Sequence, residues 1–101
     1  MNRQTNGHSA ILDELFEAIL SLENLDECYD FFGDLFTMQE MTTFAQRLQV
    51  AKMLQAGASY TTITKATGAS TATISRVSKC SEYGTGGYQT VIQRLEQEDK
   101  A

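Results

Sequence analysis

Apolar residues recur at helical intervals along most of this chain, without the alternation that marks β-strands. Residues 9–22 follow i, i+3, i+4, i+7 spacing, with acidic residues on the opposite side, and Ser9 is a suitable N-cap. The apolar positions of this predicted first helix are Ile11, Leu12, Leu15, Phe16, Ile19, Leu20 and Leu22. A second, more aromatic helix is predicted over 25–36. The pattern therefore indicates an all-α protein.

A third helix is predicted to run to about Gln55. Thr37-Met-Gln-Glu40 has the form of a capping box, and Gly57 is suited to end the helix in a left-handed conformation. The expected apolar face of this helix consists of Met41, Phe44, Leu48, Ala51 and Leu54. Beyond it the predicted elements become shorter.

Two short helices follow, Tyr60–Ala66 capped by Ser59 and Thr71 to about Lys79 capped by Ser70. They are separated by the turn Gly68-Ala69-Ser70. The Gly-rich stretch 81–88 is expected to be a flexible connector to a last helix, 90–98. We detect no internal repeat.

A short helix, a glycine turn and a second short helix form the layout of a helix-turn-helix at about 59–79. Gly68 would supply a positive φ, and Ala69 is small enough for the two helices to approach closely. Ile63, Ile74 and Val77 are predicted to face the core.

Charge supports an anionic partner for this segment. The chain carries a net charge of −5, yet residues 41–81 contain no acidic residue. The same window holds five cations, whereas residues 1–40 hold nine acids and one arginine. The cations are Arg47, Lys52, Lys65, Arg76 and Lys79. Such an asymmetry indicates a surface that approaches something anionic.

Double-stranded DNA fits the second short helix. At 100° per residue, Ala72, Ser75, Arg76 and Lys79 share its outer face, and small side chains let a helix enter the major groove. Hydroxyl groups and exposed N–H groups at the helix start suit phosphate oxygens, and the cations add salt-dependent affinity. The predicted DNA-binding residues are Tyr60, Thr61, Lys65, Ser70, Thr71, Ala72, Thr73, Ser75, Arg76 and Lys79.

Size favours self-association. With 101 residues, the chain is expected to form a polar, disordered tail at 1–8 and a single domain at 9–98. The first two helices display more apolar and aromatic surface than so small a chain can cover by itself. We therefore predict a homodimer, and a compact monomer is the alternative.

Other classes of protein are disfavoured. The acids at 9–40 fall on outward helical faces, and the glycines of "YGTGGY" are not preceded by a strand or followed by lysine, as a phosphate loop requires. Two distant cysteines and one histidine do not suggest a metal site. No apolar run could span a bilayer, and the polar N-terminus suggests no export signal, so cytoplasm is expected.

Three stretches carry a family resemblance: "LFTMQEMTTFAQRLQVAKML", "SYTTITKATGASTATISR" and "YGTGGY". They are similar to the Trp repressor superfamily, and most similar to its Trp repressor-like YerC/YecD group. The resemblance implies a six-helix, intertwined homodimer that represses transcription at a pseudo-palindromic operator. It places the helix-turn-helix in the fourth and fifth helices.

The resemblance also implies an effector pocket. In the founding member of the family tryptophan binds between the third and fifth helices. If the same roles hold at the matching positions of this chain, Arg47 would stack on the ligand ring and Arg76 would face its carboxylate. Thr37 and Thr73 would line the pocket. Val77 stands where the founding member has glycine, and its branched side chain would fill the space of the indole. We therefore expect no cofactor and no appreciable binding of L-tryptophan.

Two questions stay open at this point. The helical-face count directs Arg76 towards DNA, whereas the resemblance directs it towards a ligand. A helix-turn-helix can also serve as a protein-interaction module, binding another regulator through the acidic N-terminal helices without direct operator contact. A DNA-binding protein should lose affinity for DNA steeply as the salt concentration rises, and this measurement separates it from a protein-interaction module.

Overall fold

The computed structural model describes residues 8–100 and the side chains up to Glu98, and over this range it contains six α-helices and no strand. The helices are α1 (Ala10–Leu20), α2 (Leu25–Leu35), α3 (Met38–Gln55), α4 (Tyr60–Thr67), α5 (Thr71–Tyr83) and α6 (Gly87–Lys100). The predicted all-α class is confirmed. None of these helices is long and apolar enough to cross a bilayer. Apart from His8, the tail predicted at 1–8 lies outside the described residues.

The chain divides into two compact units, and the first contains α1 and α2. Ser9 caps α1, as predicted, by accepting a hydrogen bond from the Leu12 N–H at 3.0 Å. The start of α2 is capped by Asn24, which accepts from the Glu27 N–H, while the Glu27 carboxylate accepts from the Glu23 N–H. This variant of the capping box, in which Glu27 bonds to the residue before the N-cap, was not recognised in the sequence and fixes where α2 begins.

The apolar residues of α1 and α2 are largely exposed in the single chain. Neither helix contains a buried residue. Ile11 and Leu20 are each 82% exposed, and Leu25 is 76% exposed. Within α2 and its C-cap, Phe32 stacks on Phe36 with ring centroids 5.4 Å apart. The predicted amphipathic helices are thus present, and their apolar faces are largely exposed to solvent in the single chain.

The second unit contains α3 to α6 around one apolar core. The long helix α3 packs against α4, α5 and α6. Seven residues from α3, α4, the turn, α5 and α6 are buried: Val50, Ala51, Ile63, Ala69, Ile74, Val77 and Ile92. The prediction that Ile63, Ile74 and Val77 face the core is confirmed. The helix-turn-helix predicted at 59–79 lies within this unit.

The predicted single apolar face of α3 is partly wrong. Val50, which was not assigned to it, is fully buried together with its neighbour Ala51, whereas Phe44 is 45% exposed. Successive residues on a helix point about 100° apart, so burial of both requires packing on more than one side. Because α3 contacts three other helices, its burial does not follow one stripe.

The connector predicted at 81–88 is much shorter in the structure. Helix α5 continues to Tyr83 and α6 begins at Gly87, so only residues 84–86 lie between them. A Cβ at Gly84 would collide with the carbonyl oxygen of Cys80, so α5 ends where only glycine fits. Gly86 then reverses the chain with φ +86°. The amide of Gln89 on α6 donates to the Ser81 carbonyl and joins the two helices.

Candidate nucleic-acid interface

The α4–turn–α5 segment is positioned by apolar packing and a left-handed turn. Gly68 has φ +75°, as predicted, and its N–H donates to the Thr64 carbonyl at 2.8 Å. Ala69 is 1% exposed, and Ile63 and Ile74 are fully buried beside it. A larger side chain at position 69 would separate the helices. The turn therefore sets how α5 is presented.

Both helices of the segment begin with the same cap. Ser59 Oγ accepts from the Thr62 N–H at 3.1 Å and donates to Thr62 Oγ1 at 3.0 Å. Ser70 Oγ makes the equivalent bonds to Thr73, both at 3.1 Å. The predicted caps at Ser59 and Ser70 are confirmed, and each satisfies an N–H group that the helix leaves without a partner.

These caps belong to a short repeat that our sequence analysis missed. Residues 59–65 (SYTTITK) and 70–76 (STATISR) share the pattern S-x-x-T-I-[T/S]-[K/R]. In each copy the isoleucine is fully buried, and the cation, Lys65 or Arg76, is exposed. Comparing the chain with itself at an offset of eleven residues would have revealed it. The two helices thus present a cation at equivalent positions.

Helix α5 has a buried face and an exposed face. Ile74 and Val77 are buried against the core, whereas Ala72, Arg76 and Lys79 are exposed on the opposite side. The exposed face is small near the N-terminal end and cationic towards the C-terminal end. Such a surface can enter a groove about 12 Å wide.

The ten predicted DNA-binding residues all lie on α4, α5 or the turn between them. Eight are exposed, and Thr73 and Ser75 are half-buried: the exposed ones are Tyr60, Thr61, Lys65, Ser70, Thr71, Ala72, Arg76 and Lys79. The hydroxyl proton of Ser70 is directed to Thr73 Oγ1. Thr73 is consequently the better phosphate donor of these two hydroxyl groups.

The cations of the acid-free window are accessible. Lys52, Lys65, Arg76 and Lys79 are exposed, and Arg47 is half-buried. The guanidinium of Arg47 lies 5.8 Å from the ring centroid of Phe44 on the same helix. No carboxylate occurs between residues 41 and 81 to neutralise them locally. The field over this part of the second unit favours an anion.

The five predicted effector-pocket residues are distributed over several elements. Thr37 belongs to the first unit, Arg47 lies on α3, and Thr73, Arg76 and Val77 lie on α5. Val77 is 1% exposed, so its side chain is packed among other protein atoms. None of the five lines either of two grooves on the surface of the second unit.

One groove, of about 550 Å³, has a mainly apolar lining that includes Leu48, Tyr88 and Val91 and also contains Cys80. A second groove, of about 370 Å³, lies between α3 and the end of α4. Gln46, Gln49 and Thr67 contribute polar groups to its wall.

Among residues 8–98 no group of three side chains is arranged to hold a metal ion, and Cys28 and Cys80 are free thiols.

The turn is also held by a residue that sequence reasoning missed. Gln46 on α3 donates its amide to the Thr67 carbonyl at 3.1 Å. Thr67 Oγ1 donates to the Ile63 carbonyl at 2.8 Å and accepts from the Ala69 N–H at 3.1 Å. Gln46 and Thr67 are 21 positions apart in the chain, and an uncharged amide at that distance produces no sequence pattern from which the bond could be predicted.

Comparison with known proteins assigns the chain to a family. Residues 10–96 match the family model of the Trp repressor protein. The uncharacterized protein YerC of Bacillus subtilis (strain 168) is 52% identical over 86 residues, which are 85% of this chain and 83% of that protein. The resemblance to the YerC/YecD group is thereby confirmed.

Two solved structures share the fold over nearly the whole chain. A candidate Trp repressor from Staphylococcus aureus superposes with a TM-score of 0.86 at 49% identity, covering 94% of this chain and 96% of that one. A TrpR-like protein from Eubacterium eligens ATCC 27750 gives a TM-score of 0.87 at 47% identity, covering 92% and 96%. The chain therefore belongs to the Trp repressor family.

Proposed function

We propose that this protein is a sequence-specific, double-stranded-DNA-binding regulator that reads the major groove with α5. The observation that carries the proposal is the two-sided character of α5. Ile74 and Val77 anchor it in the core, while Ala72, Arg76 and Lys79 remain exposed on the other side. Membership of the Trp repressor family supports a regulatory role at DNA.

The chemistry of α5 divides into two parts. Ala72 and Thr71, near its N-terminus, are exposed and small enough to meet base edges or thymine methyl groups. Phosphates would be held by Thr73, Lys65, Arg76 and the exposed N–H groups at the helix starts, and these contacts would fix the position of the protein along the duplex. Because phosphate contacts release counterions, affinity would fall steeply as salt rises.

The active species in this proposal is a homodimer. The first unit exposes seven large apolar side chains: Ile11, Leu12, Phe16, Leu20, Leu25, Tyr29 and Leu35. Covering one such side chain contributes about 1.5–3 kcal/mol. The second unit also exposes apolar surface, in the groove beside Leu48, Tyr88 and Val91. Two symmetry-related α5 helices would enter the DNA about 34 Å apart and select a pseudo-palindromic operator.

Repression and a cytoplasmic location complete the proposal. A dimer bound across a promoter blocks polymerase by occupying the same duplex, and bacterial-type regulators of this kind act in the cytoplasm. The proposal includes no cofactor. In this proposal L-tryptophan is not an effector, because the branched side chain of Val77, which is 1% exposed, stands where the founding member of the family has glycine and would occupy the space of the indole.

Selection of bound sequences from random duplex DNA tests this function. The purified protein is incubated with the library at low salt, with and without amino acids, and bound duplexes are sequenced. The expected result is an enriched, two-fold symmetric site in both samples. Failure to enrich any duplex would overturn the proposal and favour the protein-interaction module.

A further inference from the structure

The amide of Gln46 forms a directional link between α3 and the α4–α5 turn. Its Nε2 donates to the Thr67 carbonyl at 3.1 Å, and the bond is partly buried. Thr67 is the last residue of α4, where helical carbonyls lack helical partners. Gln46 therefore satisfies a carbonyl that the helix itself leaves open.

Within the part of the chain that the structure describes, the other polar bonds of the turn are internal to it. Thr67 Oγ1 bonds to the Ile63 carbonyl and the Ala69 N–H, and the Gly68 N–H bonds to the Thr64 carbonyl. All of these bonds join residues at most four positions apart. They give the turn its shape, but they do not fix it relative to α3. The Gln46 bond does so.

Apolar packing alone specifies that position less sharply. The core contacts of Ile63, Ala69 and Ile74 are non-directional, so they bury surface without selecting one partner atom. Hydrogen bonds to base edges require donor–acceptor distances of roughly 2.7–3.2 Å and angles above about 150°. A reading helix therefore benefits from a bond of defined length to its scaffold.

We propose that Gln46 is a positioning residue for base reading, acting through Thr67 to hold α5 in the register that distinguishes one DNA sequence from another. This inference rests on the proposed function. It assigns Gln46 no contact with DNA. Loss of its bond should therefore weaken binding to the preferred sequence and leave binding to random sequence unchanged.

Gln46→Met tests this, because methionine keeps the length and removes the donor. Gln49→Met is the matched control: Gln49 lies on the same helix and lines the same groove, and in the described part of the chain its side chain makes no hydrogen bond. Affinities are measured for the duplex selected by the wild-type protein and for a random-sequence duplex of equal length. Hydrogen exchange of the Gly68 and Ala69 amides is followed in parallel.

The expected result for Gln46→Met is an about three- to tenfold loss of affinity for the selected duplex. Random-duplex affinity and the salt slope should stay unchanged, and exchange at Gly68 and Ala69 should accelerate. A purely structural role would lower both affinities together by reducing the folded fraction. Should Gln46→Met not fold, the pair Gln46→Glu and Gln49→Glu, matched in charge, gives the same comparison.

Two outcomes count against the inference and are distinguishable. A Gln46→Met variant with the wild-type ratio of selected to random affinity overturns the positioning role alone. A wild-type protein without preference for any duplex overturns the proposed function, and the positioning role with it.

Discussion

Ser70 and Thr73 are joined at the start of α5 by two hydrogen bonds. The Thr73 N–H donates to Ser70 Oγ, and the Ser70 hydroxyl donates to Thr73 Oγ1, both at 3.1 Å. The pair fixes the first turn of the helix that we propose enters the groove. It also leaves the Thr73 hydroxyl proton available for a phosphate oxygen.

Ser70→Ala should therefore affect both stability and DNA binding. Loss of a serine cap costs about 0.5–2 kcal/mol of unfolding free energy. Ser59→Ala removes the equivalent cap of α4 and should cost a similar amount. We expect Ser70→Ala to lower the affinity of the folded protein for the selected duplex more than Ser59→Ala does, because α5 is the proposed reading helix. Chemical denaturation measures the stability of each variant, and titration at low temperature measures its affinity for the duplex. Equal affinities of the two variants would contradict this role of α5.

Charge reversal of the exposed face of α5 separates DNA binding from folding. Arg76→Glu combined with Lys79→Glu should abolish measurable DNA binding, while the melting temperature changes little because both side chains are exposed. The control for the change in net charge, which is four units, is Lys52→Glu combined with Arg94→Glu, because both side chains are exposed and lie outside α4 and α5. Binding is measured by fluorescence anisotropy over a range of salt concentrations.

Single neutral substitutions then decide the role of Arg76. If Arg76 and Lys79 each contact a phosphate, Arg76→Ala and Lys79→Ala should each reduce the slope of log affinity against log salt by about 0.9. A reduced slope for Lys79→Ala alone would exclude a phosphate contact for Arg76. If Arg76→Ala also left the affinity for the selected duplex unchanged, Arg76 would be directed to a ligand instead of DNA. Unchanged DNA affinity after the double reversal would exclude α5 as the reading helix.

The helices were predictable because their determinants are local. Apolar periodicity, the caps Ser9, Ser59 and Ser70, and the left-handed Gly68 each act within a few residues, and the structure contains all of them. The end of α5 was not predictable from glycine content alone. Helix α5 continues through residues 81–83 and ends at Gly84, where the backbone lies too close to the Cys80 carbonyl for any Cβ.

The candidate site was predictable only in part. The exposed face of α5 follows from helical periodicity, since Ile74 and Val77 define the opposite side. The Gln46–Thr67 bond and the burial of Val50 depend on how α3 meets several helices at once. The assignment of 9–98 to one domain, the DNA contacts and the effector pocket remain predictions.

Val77 is the position at which ligand binding can be tested most directly. Val77→Gly removes a buried side chain and adds the cost of glycine in a helix, which together amount to about 2–4 kcal/mol of unfolding free energy. L-tryptophan should not shift the melting temperature of the wild-type protein and should raise that of Val77→Gly. Calorimetric titration gives the affinities, and Val77→Ala controls for destabilisation. Low-micromolar tryptophan binding by the wild-type protein would refute the proposal that Val77 excludes it.

Oligomeric state can be tested through the apolar residues of α1. Ile11 and Leu20 are each 82% exposed in the single chain, so replacing both with aspartate would cost a monomer little stability. If a second copy covers them, the same change places charges in an apolar interface, and the dimer should dissociate at micromolar concentration. Sedimentation equilibrium measures the mass, and Glu14→Gln on the same helix is the control. A wild-type protein that sediments as a monomer would contradict the dimer, and with it the paired entry of two α5 helices into one operator.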